Sequence, residues 1–192
     1  MRGARSLVGL SLLLFAAGCI DSTQPFYTPE TLKKDLDLAG AWKEVDPAKH
    51  AQEIDVFTVK SLGDGEFEVR RKAKSAAGAA DPGEEAGPSV LHAVELGGKL
   101  YFDATSPFSA DGHIITRALL DGDRLFVAGL DFNKTRKYAA KDKLPYRESW
   151  SSLVLDAPTA DLQKFIASHW REIFDYQAHH EFVRIKKPDA GD

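Results

Sequence analysis

The 192-residue chain has one cysteine, Cys19, and therefore no internal disulfide. Stability has to come from an apolar core instead of covalent staples. No apolar run approaches the ~18 residues that a membrane-spanning helix needs. The G-x-S-x-G, S-x-x-K and H-E-x-x-H patterns are missing, as is a phosphate-cradling glycine loop, so the familiar signatures of hydrolases and nucleotide-binding enzymes are absent. Basic excess is missing too: 25 Lys and Arg stand against 29 Asp and Glu, for a net charge of −4. That balance gives no reason to expect a nucleic-acid partner.

What is present begins with the first 18 residues. Arg2 and Arg5 make a positive start, Leu7–Ala17 carries no charge, and Ala16, Ala17 and Gly18 finish with small side chains. This is the pattern of a cleaved signal peptide, too short to remain as a spanning helix. The run Phe15-Ala16-Ala17-Gly18-Cys19 then resembles the lipobox of bacterial lipoproteins, with Ala16 where that family usually has Leu. The resemblance implies cleavage between Gly18 and Cys19, a diacylglyceryl group on the Cys19 thiol, and lipid-anchored residence in a bacterial cell envelope. Two or three acyl chains on one residue would make a lasting attachment. Asp21, in a sorting scheme this resembles, favours the periplasmic face of the inner membrane, with the outer membrane as the alternative. Loss of Arg2 and Arg5 with the leader takes the net charge from −4 to −6.

Residues 19–27, with Ser, Thr, Gln and Pro, read as a tether, and 28–188 as a single β-rich globular domain. Thr28-Pro29-Glu30 suggests the start of a short helix marked by Leu32, Leu36 and Leu38 and ended by Gly40. Strands are expected over 41–45, 54–62, 66–71, 90–96, 99–104, 114–120, 124–130, 150–155 and 181–186. Three turn signals, Gly63-Asp64-Gly65, Gly97-Gly98 and Asp121-Gly122-Asp123, join them into hairpins. Residues 73–89, rich in Ala, Gly, Pro and Glu, read as a flexible loop. A helix is expected over 160–174, capped by Thr159. Leu162, Phe165, Ile166, Trp170, Ile173 and Phe174 form its apolar face.

The fold class is thus mainly β with a C-terminal helix: an antiparallel barrel or strongly curved sheet of about eight strands. This order of elements, together with Gly40-Ala41-Trp42 as a G-x-W, is similar to the lipocalin layout. The chain has no counterpart of that family's T-D-Y turn. The resemblance implies an arginine over the Trp42 ring, Arg171 or Arg184, and a barrel either filled by side chains or holding one small ligand. Phe57, Phe67, Tyr101, Phe102, Phe126 and Trp150 are the bulky residues available to fill or line it.

Candidate chemistry is sparse. His169, His179, His180 and Glu181 have metal-ligand side chains, but adjacent histidines in a strand point to opposite faces, so no metal site is assigned. Asp121 and Asp123 are read as turn residues without the further oxygens calcium requires. Asp103 and Asp111 are read as loop and turn carboxylates. Lys134, Arg136, Lys137, Lys141, Lys143 and Arg147 form a basic run interleaved with Phe132, Tyr138 and Tyr146. In a tethered domain such a run suits anionic lipid, at about 1 kcal/mol per cation; a solvated loop or short helix is the plainer alternative. The expected function is non-enzymatic and cofactor-free, binding an envelope protein or small apolar ligand. An envelope hydrolase or metal-dependent enzyme, and a structural part of an envelope assembly, are the alternatives.

Overall fold

The computed structural model describes residues 19–45, 56–72, 88–105, 112–149 and 151–187. In chain order the elements are β1 (Cys19–Ser22), β2 (Gly40–Glu44), β3 (Val56–Gly63), β4 (Glu66–Lys72), β5 (Ser89–Leu96), β6 (Lys99–Thr105), β7 (His113–Asp121), β8 (Arg124–Ala128), α1 (Phe132–Asp142), β9 (Tyr146–Glu148), β10 (Ser152–Leu155), α2 (Thr159–Ile173) and β11 (His180–Lys186). Strands β2 to β8 pair antiparallel, each with the next in sequence, β6 with β7 included. Strand β11 inserts between β8 and β2, so eight strands close into a barrel.

The hairpins form where glycine permits. Gly97 and Gly98 both hold positive φ, 59° and 69°, as the two central residues of the tight turn between β5 and β6. Barrel closure creates two cores. Inside lie Trp42, Phe57, Phe67, Phe102, Leu125 and Phe182 with their neighbours. Outside, β1, α1, β9, β10 and α2 form an annex over the wall built by β5 to β8, enclosing Phe26, Tyr101, Ile115, Leu153, Leu162 and Phe174.

This layering separates residues expected to share the interior. Phe57, Phe67 and Phe102 face inward, whereas Tyr101, next to Phe102, must point the other way and lies in the outer core. Phe126 alternates with inward Leu125 and Val127 and packs outside against His179. Trp150 and most of the 73–89 loop fall outside the described residues; Ser89 already opens β5.

Three expectations are corrected. Residues 19–27 are not a free tether: Cys19–Ser22 pairs parallel with β10, Ser22 meets His113 of β7, and Phe26 is completely buried. No helix forms over 28–39. The Lys33 N–H bonds the Ala93 carbonyl, and the Glu95 N–H bonds the Thr31 carbonyl, so this backbone pairs with β5 rather than with itself. Most of the basic run forms the short helix that is one of its two plain readings: α1 is capped by the Asp131 carboxylate, which accepts from the Lys134 N–H, and ended by Lys143 in a left-handed conformation. Thr159 does not cap α2; its hydroxyl donates to the Pro25 carbonyl at 2.7 Å, and Pro158 occupies the cap.

Candidate functional site

The barrel has two unlike ends. At one, three hairpins turn tightly and the chain enters through Leu36–Leu38. Trp42 is buried there and donates its indole N–H to the Leu38 carbonyl at 2.8 Å. The Arg184 guanidinium lies 4.7 Å from the Trp42 ring centroid. It donates to Asp37 Oδ1 at 2.9 Å, to the Ala39 carbonyl at 3.2 Å and to the Asp37 carbonyl. Its hydrogen bond holds the Asp37 carboxyl below its ordinary range. Arg184 and Trp42 are register partners on β11 and β2, which selects this arginine. Arg171 instead sits over Trp170, 5.0 Å from that ring.

At the opposite end β2, β4 and β6 finish and β3, β5 and β7 begin. Here the interior turns polar. Glu44 and His180, on β2 and β11, are joined at 2.6 Å. The His180 ring stacks on Phe182 with centroids 6.4 Å apart, and Phe182 meets Phe57 edge-on at 5.6 Å. Arg71, register partner of Phe57, and Thr116, register partner of Phe102, belong to the same inward set. The barrel interior is thus an apolar packed cluster with polar groups at one end.

A second titratable group lies on the outer wall. Glu66 and His92, on β4 and β5, are 3.0 Å apart, and Asp103 of β6 is 2.8 Å from His113 of β7. Asp103 is fully buried and also accepts the Phe26 N–H at 2.6 Å, so it is neither a loop nor a turn carboxylate. The Tyr27 ring stacks on His92 at 3.8 Å, and burial with the nearby Asp103 and Glu66 charges raises its pKa. Asp103 raises the His113 pKa against the opposing effect of burial. These residues therefore clamp the 23–33 segment to the barrel. Asp111 lies outside the described residues. The sequence conceals this row because His92, Asp103 and His113 sit in otherwise apolar strands, and only register brings them together.

The structure disperses the histidines. His169 on α2 meets Asp142 at 2.6 Å, His179 bonds the Tyr176 carbonyl at 2.9 Å, and His180 is taken by Glu44 inside the barrel. Among the described residues no group of three or more His, Cys, Asp and Glu is placed to hold a metal. Asp123 stands 3.2 Å from the Arg184 side chain, consistent with a turn residue.

Of the basic run, Lys134, Arg136, Lys137 and Lys141 lie on α1, Lys143 ends it, and Arg147 lies on β9. Lys134 pairs with Asp131 at 3.3 Å, Arg136 with Glu148 at 2.8 Å, and Arg147 with Asp156 at 3.3 Å. Lys137 and Lys141 flank the Tyr138 ring at 5.6 and 5.7 Å. An open groove of about 510 Å³ separates the end of α1 from α2, bordered by Lys143, Leu144, Asp161 and Lys164. Cys19 is the first residue of β1, and Gly18 lies outside the described residues. Among the described residues no helix is long and apolar enough to cross a membrane. Neither a family model, nor a curated protein, nor a solved structure matches this chain.

Proposed function

We propose that this chain is a bacterial envelope lipoprotein, acylated on Cys19, whose barrel domain binds a small apolar ligand or a partner protein without catalysing a reaction. One observation carries the anchor: the lipobox-like run Phe15-Ala16-Ala17-Gly18-Cys19 ends at the residue where β1 begins. A signal peptide cut before Cys19 would keep every described element, β1 to β11, in the mature chain. The ligand reading is supported by the apolar interior bounded by Glu44, Arg71 and His180 at one end. The metal-enzyme alternative loses its candidate set, since His169, His179 and His180 have separate partners.

Two measurements test the proposal. The intact mass of protein extracted from bacterial membranes is expected to show a chain starting at an acylated residue 19; a bare Cys19 or a retained leader would sink the anchor. Native mass spectrometry of residues 19–192 carrying Cys19→Ser is expected to show a retained apolar molecule or a bound envelope protein. Reproducible turnover of an envelope substrate by that protein would overturn the non-catalytic reading.

A further inference from the structure

We infer that the acylated protein does not swing on a leash but lies against anionic headgroups by one face of its annex: the start of β1, the β9–β10 hairpin and the first turns of α1. This rests on the anchored reading above. A nine-residue spacer would allow roughly 30 Å of travel. Residues 19–27 supply none, because the Cys19 backbone is itself in register with Ser152 and the chain is held from there onward. The leader, residues 1–18, ends at this strand, so acyl chains on Cys19 would enter the bilayer directly beside the β1–β10 ladder.

The neighbouring elements follow from the register. Ile20 faces Leu153, and Leu153 faces Glu148 on β9. Glu148 holds Arg136 at 2.8 Å, which places the first half of α1 alongside the same end of this small sheet. Lys134, Arg136 and Lys137 are all exposed there. The acids on this face, Asp131 and Glu148, pair with Lys134 and Arg136, while Lys137 has no carboxylate in ion-pair range among the described residues. Pairs between exposed side chains are weak and easily exchanged, so lipid phosphates can compete for these cations. A few cations would hold a free domain poorly, yet they suffice to orient one that acyl chains already keep at the surface. Strand β3 stands four places from β7 around the eight-stranded ring, so its outer side faces away from the bilayer.

The test uses the whole acylated protein, in which no thiol remains, so one introduced cysteine takes a fluorophore uniquely. Ser151→Cys and Asn133→Cys report on the inferred face, and Leu62→Cys at the end of β3 reports on the opposite side. In phosphatidylglycerol-rich vesicles carrying a headgroup quencher, the first two probes are expected to be quenched at least about threefold more than the third. Lys134→Glu with Lys137→Glu, or phosphatidylcholine vesicles, should shrink that contrast. Equal quenching at all three positions in protein of verified acylated mass would overturn this inference alone. Contrast unchanged by charge reversal would also overturn it, by removing the headgroup contact. An unmodified residue 19 in the mass spectrum would overturn the anchored reading and this inference together.

Discussion

Arg184 of β11 lies across the ring of Trp42 on β2, 4.7 Å from its centroid, and the two are direct partners in the strand pairing that closes the barrel. The guanidinium therefore seals the seam between the first and last barrel strands while bonding the carbonyls of Asp37 and Ala39. Arg184→Met keeps the apolar bulk but leaves those carbonyls without their donor, and is expected to cost about 2 kcal/mol. Arg184→Lys keeps the charge and loses the planar fork, so it should fall between the two. Urea unfolding of the three proteins checks the order; an unchanged midpoint for Arg184→Met would refute the role.

Gly40 precedes this seam at φ 136°, and a Cβ placed there would lie 2.5 Å from the Lys186 carbonyl oxygen. Both the backbone conformation and the close approach of β11 require glycine. Gly40→Ala is expected to destabilise by at least about 2 kcal/mol, since strain and clash add. Gly122→Asn, at a turn with open space around it, is the matched control and should change stability by less than about 1 kcal/mol. Thermal melts of both variants make the comparison.

The Asp103–His113 pair predicts a pH dependence. Hydrogen bonding to Asp103 raises the His113 pKa in the folded protein above 6.5, its ordinary value. The folded state thus binds the proton more tightly than the unfolded chain does. The resulting stabilisation is complete below about pH 6.5 and fades as pH rises through the higher folded value. Asp103→Asn should flatten the wild-type fall in unfolding free energy across that window. It should also lower stability at every pH, because the Phe26 N–H loses a charged acceptor. Parallel slopes for the two proteins would contradict this assignment.

Tyr101 carries a buried hydroxyl with no hydrogen-bond partner among the described residues, and burial pushes its pKa up to about 12. Removing an unsatisfied buried group is favourable when packing is retained. Tyr101→Phe, which keeps the ring against Phe26 and Phe174, should be neutral or stabilising by about 1 kcal/mol. A loss greater than that in chemical denaturation would reveal a partner such as an ordered water.

The sequence carries the hairpins and the long helix plainly because both are local. Glycine pairs and alternating side chains mark β3 to β8, and the apolar spacing from Leu162 to Ile173 marks α2. Elements whose reason is distant are hidden. Strand β1, Cys-Ile-Asp-Ser, resembles a polar linker until β10 lies beside it, 133 residues later in the register from Cys19 to Ser152. Helix α1 buries only Thr135 and Ala139, so no apolar stripe announces it. The choice between Arg171 and Arg184 is fixed by register, which residue spacing does not encode. The Glu44–His180 pair joins the opposite extremities of the domain and escapes for the same reason.

Because β11 is the stave that completes the ring, a nascent chain lacking 180–186 cannot close it, however well β2 to β8 have already paired. Until that stave arrives, β2 and β8 each present an unsatisfied backbone edge, the arrangement that invites pairing with a stranger. Closure must then bring together segments some 140 residues apart in the chain, Trp42 with Arg184 among them, and pairing over such a separation slows folding. Truncation that removes part of 180–186 is therefore expected to yield insoluble material.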